Sequence, residues 1–179
     1  MNGNREIVGK INDSGLISSH IDGIIGLNII SENVIDIDRN EMTISFNEPS
    51  MPSFEKRIVI NKKLIQMGGI RFDVTLNSRP CSAVFDTGAF VSYVSSDIIG
   101  NASSIGNIED YNPVLGRFRT TLHKIDIDIQ GEIRTITVAK MTSQIQMMMS
   151  MIGVEAVLGI EALGAKRLKI DISNSRLEL

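Results

Sequence analysis

Tryptophan is absent, and aromatic residues make up only 4% of the 179 residues. Stacking platforms for nucleotide bases are therefore poorly supplied, and a core has to be built from Ile, Leu, Val and Met. There is one cysteine, Cys81, which excludes a disulfide framework within the chain and leaves the compartment open. An excess of positive charge is missing as well. The 18 Lys and Arg against 21 Asp and Glu give a net charge of −3, so nothing favours nucleic acid or an anionic membrane as a partner. Lys56, Arg57, Lys62 and Lys63 form two separated pairs, too sparse for a nucleic-acid patch. No apolar run reaches about 18 residues, so no membrane span is visible. The start, Met1-Asn2-Gly3-Asn4-Arg5-Glu6, lacks the apolar core of a signal peptide. His20 and His123 stand far apart with no metal-ligand spacing around them, so neither a metal nor a cofactor is expected.

Hydrophobic residues make up 42% and charged residues 22%, the balance of a globular chain that can bury a core. The length allows one ordinary domain, or one domain and a fragment. Most of the chain reads as short strands. Ile70, Phe72, Val74 and Leu76 alternate with Arg71, Asp73, Thr75 and Asn77, the two-residue period of a half-buried strand. Asn77-Ser78-Arg79-Pro80 predicts a turn, Cys81 to Phe85 a mostly apolar strand, and Phe90 to Val94 another. Ser95 to Gly100 reads as one helical turn with a serine cap and a closing glycine. Residues 101–121 are irregular, with Gly106, Pro113 and Gly116. Ile125, Ile127 and Ile129 alternate with Asp126 and Asp128; Gln130-Gly131 predicts a hairpin turn and Ile133 to Ala139 the returning strand. Val154–Leu158, Leu168–Ile172 and Arg176–Leu179 complete the set.

An internal repeat runs through this pattern. Ile21-Asp22-Gly23-Ile24-Ile25-Gly26-Leu27-Asn28-Ile29-Ile30 aligns without gaps with Val154-Glu155-Ala156-Val157-Leu158-Gly159-Ile160-Glu161-Ala162-Leu163. Ile35-Asp36-Ile37-Asp38 then aligns with Leu168-Lys169-Ile170-Asp171, and the match ends near Phe46 against Leu179. The offset is constant: Gly26 stands to Gly159 as Asp38 stands to Asp171. Fixed-period self-similarity signals duplicated structural units. Two closely spaced prolines in Asn47-Glu48-Pro49-Ser50-Met51-Pro52-Ser53 place the boundary there, giving residues 1–53 and 54–179.

Two segments carry chemistry. An apolar strand ends in Asp86-Thr87-Gly88-Ala89, and Ala156-Val157-Leu158-Gly159-Ile160 follows well downstream. In this order and spacing they resemble the retropepsin-like and pepsin-like aspartic peptidases, over roughly Ile58 to Leu179. The resemblance implies a mostly β, closed-barrel lobe from 54 to 179, preceded by a partial lobe-like β segment. It implies Asp86 as the catalytic carboxylate. Thr87, Gly88 and Ala89 would hold its loop, and Val157, Leu158 and Gly159 would thread beside it. The residue types suit that role. Glycine lets the backbone turn with no side chain in the way, and a threonine hydroxyl both donates and accepts.

Peptide hydrolysis by such a site needs two carboxylates sharing one proton. The chain supplies one good half. Asp13-Ser14-Gly15 lies too close before Gly26 to leave room for a lobe's strands, flap and hairpin, and has no apolar strand in front. It therefore reads as a surface turn. By the offset of the repeat, the partner of Asp86 would fall before Met1. Residues 1 to about 46 thus resemble the back end of a first lobe without its front. The second carboxylate is expected either from a second chain in a homodimer, as in retropepsins, or from a missing first lobe. The partner acted upon would be a peptide or protein substrate. The rival expectation is a catalytically silent module of the same fold that only dimerises or binds peptide.

Ile108 to Thr121 stands where the family has its flap, with Gly116 as the tip and Tyr111 or Phe118 facing the cleft; glycine and irregularity equally describe an ordinary loop. Asp38 and Asp171, at equivalent repeat positions, read as strand-end residues, and Asp22 and Glu155 as solvated. Cys81 reads as a small core residue. Met147, Met148, Met149 and Met151 suit a substrate pocket, and suit core or dimer packing at least as well. Asn12 and Asn101 match a glycosylation sequon that is common by chance.

Overall fold

Apolar and polar side chains alternate through most of the chain, and a strand sends successive side chains to opposite faces. Two curved sheets result, with a shared apolar interior. The computed structural model describes residues 33–47, 57–59, 69–112 and 115–179. Asp13-Ser14-Gly15, His20, the first stretch of the repeat (21–30), the proline-rich boundary and Lys56, Lys62 and Lys63 lie outside the described residues.

The larger sheet holds β4 (Ile70–Leu76), β5 (Arg79–Phe85), β6 (Ser92–Val94), β7 (Ser104–Asn112), β8 (Gly116–Ile129), β9 (Glu132–Lys140) and β10 (Ala156–Leu158). Their order is β4-β5-β10-β6-β9-β8-β7, and β4 also pairs with β8. That last pairing joins the two sides, so six strands form a ring and β7 hangs from β8. Inside the ring Phe72, Leu76, Ile125, Ile127, Val138 and Leu158 are all buried. Short helices α1 (Ser96–Ile99), α2 (Ser143–Met151) and α3 (Ile160–Leu163) connect strands. The protein is therefore mostly β, as the strand periods predict.

The smaller sheet holds β1 (Val34–Asp38), β2 (Thr43–Asn47), β3 (Arg57–Val59), β11 (Arg167–Asp171) and β12 (Arg176–Glu178), in the order β2-β1-β11-β12-β3. Leu168, Ile170 and Leu177 reach from it into the core of the ring. Hairpin β1–β2 repeats hairpin β11–β12 residue for residue. Asp36 faces Ser45 and Ile37 faces Ile44 in the first; Lys169 faces Glu178 and Ile170 faces Leu177 in the second. Each pair is displaced by the constant offset of the sequence repeat. The turns match too. Met42 and Ser175 both take left-handed backbone, φ 52° and 56°. Asp38 Oδ1 accepts the Glu41 N–H and Asp171 Oδ1 the Asn174 N–H, each at 3.0 Å. Asp38 and Asp171 are strand-end residues that bind the following turn.

The region expected to be irregular, residues 101–121, is instead the long antiparallel hairpin β7–β8. It is paired from Ser104 with His123 to Asn112 with Gly116, with one bulge between Ser104 and Gly106. Its side chains are exposed or half-buried along β7, so the sequence lacks the clean alternation that marks a one-sided strand. His123 lies in β8, buried, with its ring nitrogens bonded to the Ala102 carbonyl and the Thr121 hydroxyl. Glu155 is half-buried and pairs with Arg79 at 2.6 Å, so it is not simply solvated. Cys81 is buried in β5, and burial first, then the Glu155 charge, push its thiol pKa up to about 12.

Candidate active site

Strands β5 and β10 run parallel, with Ala83 beside Ala156, Val84 beside Val157 and Phe85 beside Leu158. Parallel neighbours end on the same side of a sheet, so Asp86 and Gly159 leave their strands together. The Asp86 N–H donates to the Leu158 carbonyl at 3.0 Å. This bond is the first point at which two segments distant in the chain become one site.

The loop after Asp86 closes on itself. The Gly88 N–H donates to Asp86 Oδ1 at 2.9 Å, and the Ala89 N–H to the Asp86 carbonyl at 3.2 Å. The first of these orients the carboxylate, since a charged acceptor holds a backbone N–H more firmly than a neutral one. Across the join, the buried Ser92 hydroxyl accepts the Gly159 N–H at 3.0 Å. A Cβ on Gly159 would stand 2.6 Å from the Ala89 carbonyl oxygen. The small residue is therefore required by close backbone approach, not by a turn. Leu158 and Gly159 are buried, Val157 and Ala89 half-buried, and Asp86, Thr87 and Gly88 exposed in the single chain.

Beside this loop Phe90 is 84% exposed. It borders a cavity of about 420 Å³ whose other walls include Ser92, Ile108, Leu122 and Ile136. Hairpin β7–β8 leans over the same region. Its Ile108, Leu115, Phe118 and Leu122 pack against a small apolar cluster of Tyr93, Met141 and Ile145, with Val157 and Met149 alongside. The rings of Tyr93 and Phe118 are 6.0 Å apart at 52°. The Tyr93 hydroxyl donates to Asp110 Oδ2. Burial first, and then this bond to an anion, raise the Tyr93 pKa above the ordinary phenol range.

Of the residues singled out in the sequence, the structure brings Asp86, Thr87, Gly88 and Ala89 together with Val157, Leu158 and Gly159. Phe118 joins them indirectly, through Tyr93 on β6. Tyr111 and Gly116 sit at the end of the hairpin, paired with Arg117 and Asn112. Gly116 has φ 73°, the left-handed backbone that glycine adopts without strain. Met149 joins the small apolar cluster, whereas Met147, Met148 and Met151 are exposed on α2. Sequence patterns alone do not single out Tyr93 and Asp110, and Ser92 is easily passed over. Ser92 does carry a legible signal: a lone hydroxyl inside the apolar run Val91-Ser92-Tyr93-Val94, where a buried polar group needs a partner.

No protein-family model matches the chain, and no curated protein matches it. Among solved structures it is similar to the protease of Simian Foamy Virus (mac), with TM-score 0.40 and 12% identity over 52% of this chain and 91% of that one. It is similar to a retropepsin-like aspartic protease from Rickettsia conorii, with TM-score 0.47 and 15% identity over 71% of this chain and 94% of that one. It is similar also to a foamy viral protease-reverse transcriptase, at TM-score 0.41 and 10% identity over 52% of this chain and 14% of that one.

Proposed function

We propose that this chain provides one half of an aspartic endopeptidase, in which Asp86 shares a proton with a second aspartate from another chain or lobe. The observation that carries this proposal is the joint between the two strand ends. Asp86 is bonded through its backbone to Leu158, and Gly159 lies against Ala89 and is held by Ser92. A carboxylate at a strand end, with its loop locked from below and one face left open, is what a shared dyad requires of each member.

The chemistry follows from two carboxyl groups close together. Like charges this close disfavour each other, so one pKa rises, the other falls, and the two carboxyl groups share a single proton. The ionised member takes a proton from a bound water as the water oxygen attacks the peptide carbonyl. The protonated member gives its proton to the carbonyl oxygen, forming a gem-diol. Collapse of the diol breaks the C–N bond as a proton passes to the leaving nitrogen. The pair titrates as a unit. The apolar cavity beside Phe90 would take a substrate side chain, and hairpin β7–β8 would close over it as a flap, with Phe118 inward and Gly116 near the tip.

The test is cleavage of a peptide library between pH 3 and 8 by the wild-type chain and by Asp86→Asn, with molecular size measured on the same samples. Cleavage is expected in samples where two lobes associate, and a drop of about 100-fold or more on substitution, the scale of general acid–base catalysis. Two-lobed samples that bind peptide yet never cleave it would favour the silent, peptide-holding module instead.

A further inference from the structure

We propose that the outer edge of β2 and the apolar face of hairpin β1–β2 dock a second lobe-like polypeptide. That unit would be built like residues 57–153 and carry its own Asp-Thr/Ser-Gly loop; it would not be a second copy of this chain. The inference rests on the proposed function, because it names where the second aspartate comes from.

The smaller sheet has an internal two-fold arrangement. Asp36 faces Lys169, its own equivalent in the repeat, while Ile35 faces Ile170 and Ile37 faces Leu168. Exchanging the two hairpins leaves this pairing pattern unchanged. The surroundings of the hairpins are not equivalent. Leu177 of the second hairpin is fully buried by the six-stranded ring, whereas Ile44, its equivalent, is 62% exposed. Strand β12 pairs with β3 on its outer side, whereas among the described residues nothing pairs with the outer side of β2. Met42 and Phe46 are exposed on the same hairpin. A groove of about 630 Å³ runs beside it, lined by Ile37, Met42, Ile44 and Lys166 among others. An open strand edge with apolar side chains is a template for strand addition.

The cover of the second hairpin says what fits the first. There, a β3-like strand extends the sheet and a ring core receives the apolar face. The same two-fold operation would therefore bring a second ring, and with it a second aspartate loop. A second copy cannot serve. In every copy the ring core is already filled by its own β11 and β12, and the free side of β11 is taken by its own β1. Asp36 locks that pairing, accepting two bonds from Arg167 at 2.8 and 2.6 Å, with the Lys169 ammonium 3.6 Å away. Hairpin β1–β2 thus occupies the place that a partner's second hairpin would need.

The test uses residues 1–179 alone and with a second copy of residues 54–153 fused ahead of Met1. Four readouts are taken: molecular size, melting temperature, hydrogen exchange of the Thr43–Phe46 amides, and peptide cleavage. Expected is a monomeric single chain with fast-exchanging β2 amides, and a fusion in which those amides become protected. Ile44→Asp with Phe46→Asp should leave the melting temperature of the single chain unchanged. In the fusion it should cut protection and cleavage by on the order of tenfold or more, as loss of a buried apolar anchor does. Amides that exchange as fast in the fusion as in the single chain overturn the docking proposal, whether or not cleavage is seen. So does a single chain that dimerises in solution and reverts to monomer on the double substitution. Protected amides with no cleavage support the docking surface and count against the peptidase chemistry alone.

Discussion

At the residue scale, the site depends on atoms that do no chemistry themselves. Ser92 accepts the Gly159 N–H inside the protein. Ser92→Ala leaves that donor buried and unpaired, and is expected to destabilise the fold by about 1–3 kcal/mol, measured by urea unfolding. Gly159→Ala forces backbone apart, because the new methyl would stand 2.6 Å from a carbonyl oxygen. The expected outcome is a larger loss of stability than for Ser92→Ala, together with loss of cleavage. Asp86→Asn behaves oppositely. It keeps an oxygen to accept the Gly88 N–H, and the residue is exposed, so folding should be unchanged while cleavage disappears. This contrast between the silent Asp86 and the fragile Gly159 separates chemistry from scaffold.

At the scale of elements, the controlling piece is hairpin β7–β8. Its Ile108, Leu115, Phe118 and Leu122 rest on the cluster around Tyr93, and the Tyr93–Asp110 hydrogen bond ties it down. Tyr93→Phe keeps the ring and removes the tie. It is expected to raise hydrogen exchange through Asp110–Asn112 and to lower global stability by about 1 kcal/mol. Exchange unchanged from wild type would show that packing alone holds the hairpin. The elements differ in how readable they are. Strands β4 and β8 beyond His123 each alternate between core and water, and their sequences state it, whereas β9 leaves Ile133 exposed and buries the neighbours Val138 and Ala139. Hairpin β7–β8 reads as irregular because β7 has no buried face and its turn follows Asn112 without an alternation to announce it. Helix α2 escapes the sequence patterns because the exposed Met147 and Met151 flank its packed side chains, Ile145 and Met149, and blur the apolar stripe at the helical period. Its cap is nonetheless legible: Thr142 accepts the Ile145 N–H at 3.3 Å, the bond expected of a threonine just before a helix.

At the scale of the whole molecule, two long-range relations organise the fold, and both are visible in the sequence. One is the join of Asp86 to Gly159 at the ends of β5 and β10. The other is the internal repeat, which reappears as matched hairpins. What the sequence does not supply is their mutual pairing, because strand adjacency between opposite ends of the chain depends on the complete core. Asp36 is a charge-dependent clamp on that pairing. The Arg167 guanidinium bonded to it, with Lys169 beside it, holds its carboxyl below the ordinary carboxylate range despite burial. A lowered folded-state pKa adds stability that is fully present above the unfolded-state value and is lost as pH falls through the folded one. The melting temperatures of wild type and Asp36→Asn should therefore differ at pH 6 and converge toward pH 3. A gap that stays constant over this range would remove charge from the explanation.

The most direct measurement is peptide cleavage from pH 3 to 8 by the fused two-lobed protein, with Asp86 changed to Asn in the native lobe, in the copied lobe, or in both. If two carboxylates share one proton, either single change reduces cleavage by about 100-fold or more, the double change adds little, and the active protein has a bell-shaped pH profile. Half the activity remaining after one change, or full activity after both, would contradict a shared aspartate pair.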